Sequence, residues 1–90
     1  MAGKADFVDR IAELTGFAKT HVAMTYDTLF ELMKEALAED DKVAVPNFGI
    51  FQVSRRPARI GRNPATGAEI QIAASKTVRF KPAKALKDRL

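Results

Sequence analysis

Residues 54–67, Ser54-Arg55-Arg56-Pro57-Ala58-Arg59-Ile60-Gly61-Arg62-Asn63-Pro64-Ala65-Thr66-Gly67, contain one large aliphatic side chain, Ile60. A stretch with neither an apolar stripe at helical spacing nor an alternating apolar face has nothing to bury, so it must project from the body formed by the rest of the chain. The segment that follows, Ala68-Glu69-Ile70-Gln71-Ile72, alternates as a returning strand does. Residues 54–74 therefore read as a long two-stranded ribbon turning near Asn63 to Gly67. Isolated ribbons are marginal in water, so this one is expected to move until something anionic orders it.

With the ribbon set aside, few residues remain to make a core. A lone domain of 90 residues hides only about 60–70% of the surface its unfolded chain exposes. The sequence has no Cys, so no disulfide can compensate. Association with a second chain is the remaining way to enlarge the core, and an oligomer is expected. A composition 47% hydrophobic and 29% charged suits a folded globular chain rather than a disordered one. There is no internal repeat, linker or low-complexity tract, so residues 1–90 read as one domain, with a helical dimerisation part at 1–41 and a sheet, arm and final helix at 42–90.

The helical part is set by spacing. Phe7, Val8, Ile11, Ala12 and Leu14 recur at three and four residues from Lys4 to Thr15, with Gly16 placed to end the helix in a left-handed cap. A second pattern, Val22, Tyr26, Leu29, Phe30, Met33, Ala36 and Leu37, predicts a helix from about Lys19 to about Glu39. Ala18 is a weak start signal, and Asp40 stands at a stop position where Gly would be easiest. Period two then takes over. Lys42 to Val45 and Phe48 to Val53 read as strands divided by Pro46-Asn47, with Gly49 at a bulge or close backbone contact. Lys76 to Lys81 is a clean alternation with Val78 and Phe80 on one face and Thr77, Arg79 and Lys81 on the other. Pro82 suits the start of a last helix running to Leu90.

Charge divides along the same line as period. Residues 1–41 hold four basic residues against nine acidic ones, a net charge of −5, whereas residues 42–90 hold eleven basic residues against two acidic ones, a net of +9. One half is thus suited to face a polyanion while the other builds the core. Arg55, Arg56, Arg59 and Arg62 on the ribbon are the sharpest part of that signal, because guanidinium forks bind phosphate oxygens in pairs and fit the electronegative minor groove. Taken alone, a run of charge is more often a solvated surface. Pro64 changes the balance, since a rigid apolar ring at the tip of a basic ribbon can enter a base step and kink a duplex.

Other candidate chemistry is weaker. Phe7, Phe17, Phe30, Phe48, Phe51 and Phe80 could stack on bases, but each lies on the apolar side of its element and reads as core. His21 is the single His, which leaves a metal site without ligands. Glu31, Glu35 and Glu39 recur every four residues, which makes an exposed acidic helix face rather than a paired-carboxylate centre.

Three segments together, Asn47-Phe48-Gly49-Ile50-Phe51, Gly61-Arg62-Asn63-Pro64-Ala65-Thr66-Gly67 and Phe80-Lys81-Pro82-Ala83-Lys84-Ala85-Leu86-Lys87, closely resemble the bacterial histone-like HU proteins and their relative, integration host factor. The resemblance spans essentially the whole chain. It implies an α+β fold built as an intertwined dimer, with two N-terminal helices, a three-stranded antiparallel sheet carrying a long β-ribbon arm at about 54–74, and a short C-terminal helix. It also implies that Pro64 intercalates, that Arg55, Arg56, Arg59, Arg62 and Asn63 line the DNA face of the arm, and that Lys76, Arg79, Lys81, Lys84 and Lys87 form a saddle for flanking phosphates. Lys4 matches a position that can join that surface. Minor-groove bending is what is known of the family and is not read from spacing. The sequence departs from the pattern at Asn47 and Asp40, where Gly is usual, at Ile60, where a basic residue is common, at Ala18, where Ser is common, and at Pro57, which cannot donate to a ladder.

The functional expectation is a non-enzymatic architectural protein that binds double-stranded DNA as a homodimer with little sequence preference, bending and compacting it. No cofactor, metal, membrane or small-molecule substrate is expected, and with no signal-like N-terminal run or apolar span a cytoplasmic, nucleoid-associated location is expected. The alternatives are a site-specific bender of the integration host factor type and a dimeric module whose basic half docks an acidic protein.

Overall fold

A computed structural model describes residues 1–90. The chain is α+β and divides into two compact units, Met1–Glu35 and Ala36–Leu90. The first holds α1 (Lys4–Thr15) and most of α2 (Lys19–Ala38). The second holds the end of α2, the strands β1 (Val43–Val45), β2 (Gly49–Arg56), β3 (Arg59–Arg62), β4 (Glu69–Ile72) and β5 (Ser75–Pro82), and α3 (Lys84–Lys87).

Local chemistry explains the helix ends. At the start of α1 the Gly3 N–H donates to Asp6 Oδ2 at 2.9 Å, and the same carboxylate sits at the positive end of the helix dipole. Gly16 closes α1 in the left-handed region, φ 75°, with its N–H on Ala12 O at 2.9 Å, as its position in the sequence predicts. Ala18 offers no side-chain cap to α2, and the first helical bond there runs from Val22 N–H to Ala18 O at 3.0 Å. At the other end of α2, Asp40 N–H donates to Leu37 O at 3.0 Å and Asp41 N–H to Ala36 O at 3.0 Å. This crossed pair is a Schellman motif, whose left-handed residue is usually Gly. Here it is Asp40, with φ 62°, a conformation that costs an ordinary L-residue roughly 1–2 kcal/mol and Asp somewhat less.

In the second unit, β1, β2 and β5 form an antiparallel sheet in the order β1-β2-β5, while β3 and β4 pair separately. The β1–β2 connection is a four-residue turn, Val45-Pro46-Asn47-Phe48, closed by Phe48 N–H on Val45 O at 3.0 Å. Proline second and a positive φ third, 62° at Asn47, is the type II pattern, which requires Gly or Asn at the third place. The close contact expected at Gly49 is present: a Cβ there would lie 2.6 Å from Lys81 O and 2.5 Å from Phe80 Cε1. The expectation for the final helix needs correction. Pro82 is the last residue of β5, paired with Gly49, and α3 covers Lys84–Lys87 instead of running from 82 to 90. Proline is tolerated at that strand end because β5 lies at the edge of the sheet.

The interior of a single chain is very small. Val8 and Val22 are its only buried hydrophobic side chains, and Phe7, Leu14, Phe17, Leu29, Phe30, Phe48 and Phe80 are all more than 40% exposed.

The β1–β2 turn supplies a direct check on the backbone. Asn47→Ala is expected to lower stability by about 1 kcal/mol, because alanine lacks asparagine's tolerance of positive φ, whereas Asn47→Gly should leave the urea midpoint nearly in place. Equal midpoints for the two variants would show that φ at this position is not what the turn requires.

Candidate nucleic-acid interface

The ribbon is built in two stages. The β2–β5 ladder runs without a bulge from Gly49↔Pro82 to Arg56↔Ser75, so the regular sheet extends past residue 54, where the ribbon was expected to begin. Pro57-Ala58 and Ala73-Ala74 then lie outside any strand, and pairing resumes as β3–β4, from Arg59↔Ile72 to Arg62↔Glu69. The interruption falls at Pro57, which has no N–H for a ladder bond. Beyond β3 the chain turns through a tip fixed by its own polar groups. Asn63 N–H donates to Ala68 O at 2.8 Å and Gly67 N–H to Asn63 O at 2.7 Å, with Gly67 at φ 72°. Asn63 Oδ1 accepts from Ala65 N–H at 2.9 Å, and Thr66 Oγ1 from Ala68 N–H at 3.3 Å. Asn63 and Thr66 thus shape the turn that leaves Pro64 exposed at its crest.

The register distributes the cations among faces, since paired residues share a face and successive residues alternate. In β3–β4, Arg59 shares a face with Ile70 and Ile72, while Arg62 is on the other with Ile60, Gln71 and Glu69. The ribbon is therefore cationic on both sides. In the three-stranded sheet, one face carries Val43, Val45, Phe51, Val53, Val78 and Phe80. The Phe80 ring lies 4.8 Å from Phe51 and 5.4 Å from Phe48. The opposite face carries Arg79, Lys81 and Arg56 among Ile50, Gln52, Ser54, Ser75 and Thr77. This matches the division of β5 expected from its sequence.

Ion pairing separates the candidate residues further. Lys4, in the first unit, has its Nζ 2.8 Å from Asp27 Oδ1. Arg55 and Lys76 face each other across the ladder on the apolar side of the sheet, and both meet Asp40: Arg55 through Nη2 to Oδ2, and Lys76 with Nζ 3.5 Å from Oδ1. By contrast, Arg56, Arg59, Arg62, Arg79, Lys81, Lys84 and Lys87 have no carboxylate within salt-bridge distance. Lys84 and Lys87 stand one turn apart on α3, whose start is tied to the β1–β2 turn by Ala83 N–H on Phe48 O at 2.9 Å.

Asp40 is the residue that the sequence reasoning missed as a partner. Its signal was an acid at a stop position favouring Gly, which is visible, but the cations it would meet lie 15 and 36 residues downstream. The acidic helix face is ordinary surface: Glu31 Oε1 accepts from Lys34 Nζ at 2.8 Å, and that hydrogen bond, then the Glu31 charge, holds the Lys34 ammonium above its usual 10.5. His21 is exposed, and the Tyr26 and Phe30 rings lie 4.7 Å apart at a tilt of 48°, with Phe30, expected in the core, still 41% exposed within one chain.

Similarity to known proteins extends over nearly the whole chain. The family model described as bacterial DNA-binding protein matches residues 2–90. DNA-binding protein HU of Streptococcus pyogenes serotype M18 is 50% identical over 88 residues, covering 98% of this chain and 97% of that protein. Integration host factor subunit alpha of Myxococcus xanthus is 41% identical over 87 residues, covering 97% of this chain and 67% of that protein. Among solved structures, an Anabaena HU–DNA cocrystal structure is similar with a TM-score of 0.81 at 31% identity, covering 98% of this chain and 96% of that one. HU from Thermotoga maritima is similar with a TM-score of 0.68 at 30% identity, covering 98% of this chain and 97% of that one. With the fold, the proline-tipped ribbon and the full-length match in agreement, the chain belongs to the bacterial DNA-binding protein family of HU and integration host factor.

Proposed function

We propose that the protein is a non-enzymatic architectural DNA-binding protein that acts as a homodimer on duplex DNA, lays its arms in the minor groove and bends the duplex there. The observation that carries this reading is the ribbon itself, which has unpaired arginines on both faces and an exposed proline at its crest. A ribbon inserted into a groove meets a phosphate wall on each side, so cations on both faces are useful, whereas a flat docking surface would call for one face only. At the crest, a ring with no N–H and few degrees of freedom suits entry between base pairs, where partial unstacking costs a few kcal/mol.

Arg79, Lys81, Lys84 and Lys87 are assigned to the body of the interface, Arg56, Arg59 and Arg62 to the arm, Pro64 to the wedge, and Asn63 to the turn that presents it. The minor groove offers a degenerate pattern of donors and acceptors, and the available cations are of the phosphate-binding kind, so weak sequence preference follows. That favours an HU-like task over site-specific bending, and an association with the nucleoid in the bacterial cytoplasm. The Anabaena relative was crystallised with DNA, which supports the same partner for this chain. Homodimerisation is supported by the large apolar side chains that one chain leaves exposed. The Lys4–Asp27 pair must open if Lys4 is to reach phosphate.

Each part of the proposal has a distinct measurement. If a dimer neutralises about 6–10 phosphates, duplex affinity should fall by about 10³–10⁵ between ~50 and ~200 mM salt, and a nearly flat response would remove the electrostatic basis of the reading. Pro64→Ala should keep most of the phosphate affinity while opening the bend, read by end-to-end fluorescence transfer on a short duplex; an unchanged transfer efficiency would take the wedge role from Pro64. Because folding is coupled to association, the thermal midpoint should rise with protein concentration, and a concentration-independent midpoint would argue for a monomer.

A further inference from the structure

We propose that Asp40 is a positioning residue, a latch that holds the root of the arm, and that Arg55 and Lys76 serve this latch rather than the DNA surface. The inference builds on the reading of the ribbon as the DNA-binding arm. Three observations carry it. First, Arg55 and Lys76 are cross-strand partners on the same face as Val53 and Val78, opposite the face that carries Arg56, Arg79 and Lys81. Their side chains leave the sheet on the side away from the basic surface. Second, each takes one oxygen of a single carboxylate, Oδ2 for Arg55 and Oδ1 for Lys76, so Asp40 bridges both strands. Third, this bridge stands on the last rung but one of the regular ladder, immediately before the break at Pro57-Ala58 and Ala73-Ala74.

The position of Asp40 strengthens the case. It occupies the left-handed end of α2, where an Asp is less at ease than a Gly and where its negative charge, beside Glu39 and Asp41, opposes the helix dipole. Arg55 and Lys76 supply the compensating cations, so the helix end and the arm root neutralise each other. An open hollow of about 390 Å³, lined by Arg55, Arg56, Pro57, Ala74, Ser75 and Lys76, lies at the same rungs and the break beside them. With the last rungs tied to α2, bending is confined to Pro57-Ala58 and Ala73-Ala74 and does not spread back into the sheet.

The test compares full-length dimers by amide hydrogen exchange and by salt-dependent duplex binding. Asp40→Asn keeps the shape and the tolerance of positive φ, and Asp40→Gly relieves the backbone while removing the carboxylate. Both should lower protection of the amides at 54–56 and 75–77 by about tenfold, with those at 50–52 and 79–81 unchanged. Wild-type protection at the root should fall in ~1 M salt, which screens an exposed bridge, and the Asp40 variants should not respond. Arg55→Lys should retain protection where Arg55→Gln loses it. In duplex binding, Arg79→Gln should flatten the salt slope of the dimer by about 2, about 1 for each protomer, and Arg55→Gln should leave it unchanged.

Unchanged root protection in both Asp40 variants would overturn the latch. So would a salt slope flattened equally by Arg55→Gln and Arg79→Gln, which would make Arg55 a phosphate ligand. Should the wild type fail to retain duplex at all, the proposed function falls, while the exchange data still decide the latch.

Discussion

The structure depends on apolar surface that one chain cannot cover. Val8 and Val22 are the only hydrophobic side chains buried within it, while phenylalanines and leucines on α1, α2 and the sheet stay open. Hydrogen bonds within the helices and ladders hold these elements in shape, but such bonds exchange for water at a net gain of only about 0.5–1.5 kcal/mol each. The driving force has to come from closing apolar faces against a second surface. Closed in that way by a second chain, the paired molecule carries two arms where a single chain has one.

Period two organises everything beyond the helices. Along β2 and β5 it sends Phe51, Val53, Val78 and Phe80 to one side and Arg56, Arg79 and Lys81 to the other, so one sheet serves as a wall of the core and as a basic floor. The same alternation puts Arg55 and Lys76 on the apolar side of the sheet, where both stay more than half exposed and meet the carboxylate of Asp40. The helix stop, the sheet edge and the arm root are in this way parts of one electrostatic arrangement.

Much of this was legible in the residues. The limits of α1 and α2, the left-handed Gly16, the close approach at Gly49 and the two-faced β5 all follow from spacing and from the steric needs of single positions. What escaped was non-local. Nothing near Asp40 in sequence announces Arg55 or Lys76, because those contacts arise only when β2 and β5 align. Pro82 misled because proline favours a first helical turn and also fits an edge-strand terminus, and the pairing with Gly49 decides between them. The arginines read as one set, yet only register separates those with a carboxylate partner from those without.

The break at Pro57 and Ala73-Ala74 also affects how the molecule tolerates change. A one-residue slip in a continuous ribbon would turn every side chain to the opposite face back to its base. Here the ladders of β3–β4 and β2–β5 are separate, so a slip or insertion among residues 59–72 would invert the arm and leave Arg79, Lys81 and the phenylalanines of the sheet facing as before. The tip can be rewritten while the sheet keeps both of its faces.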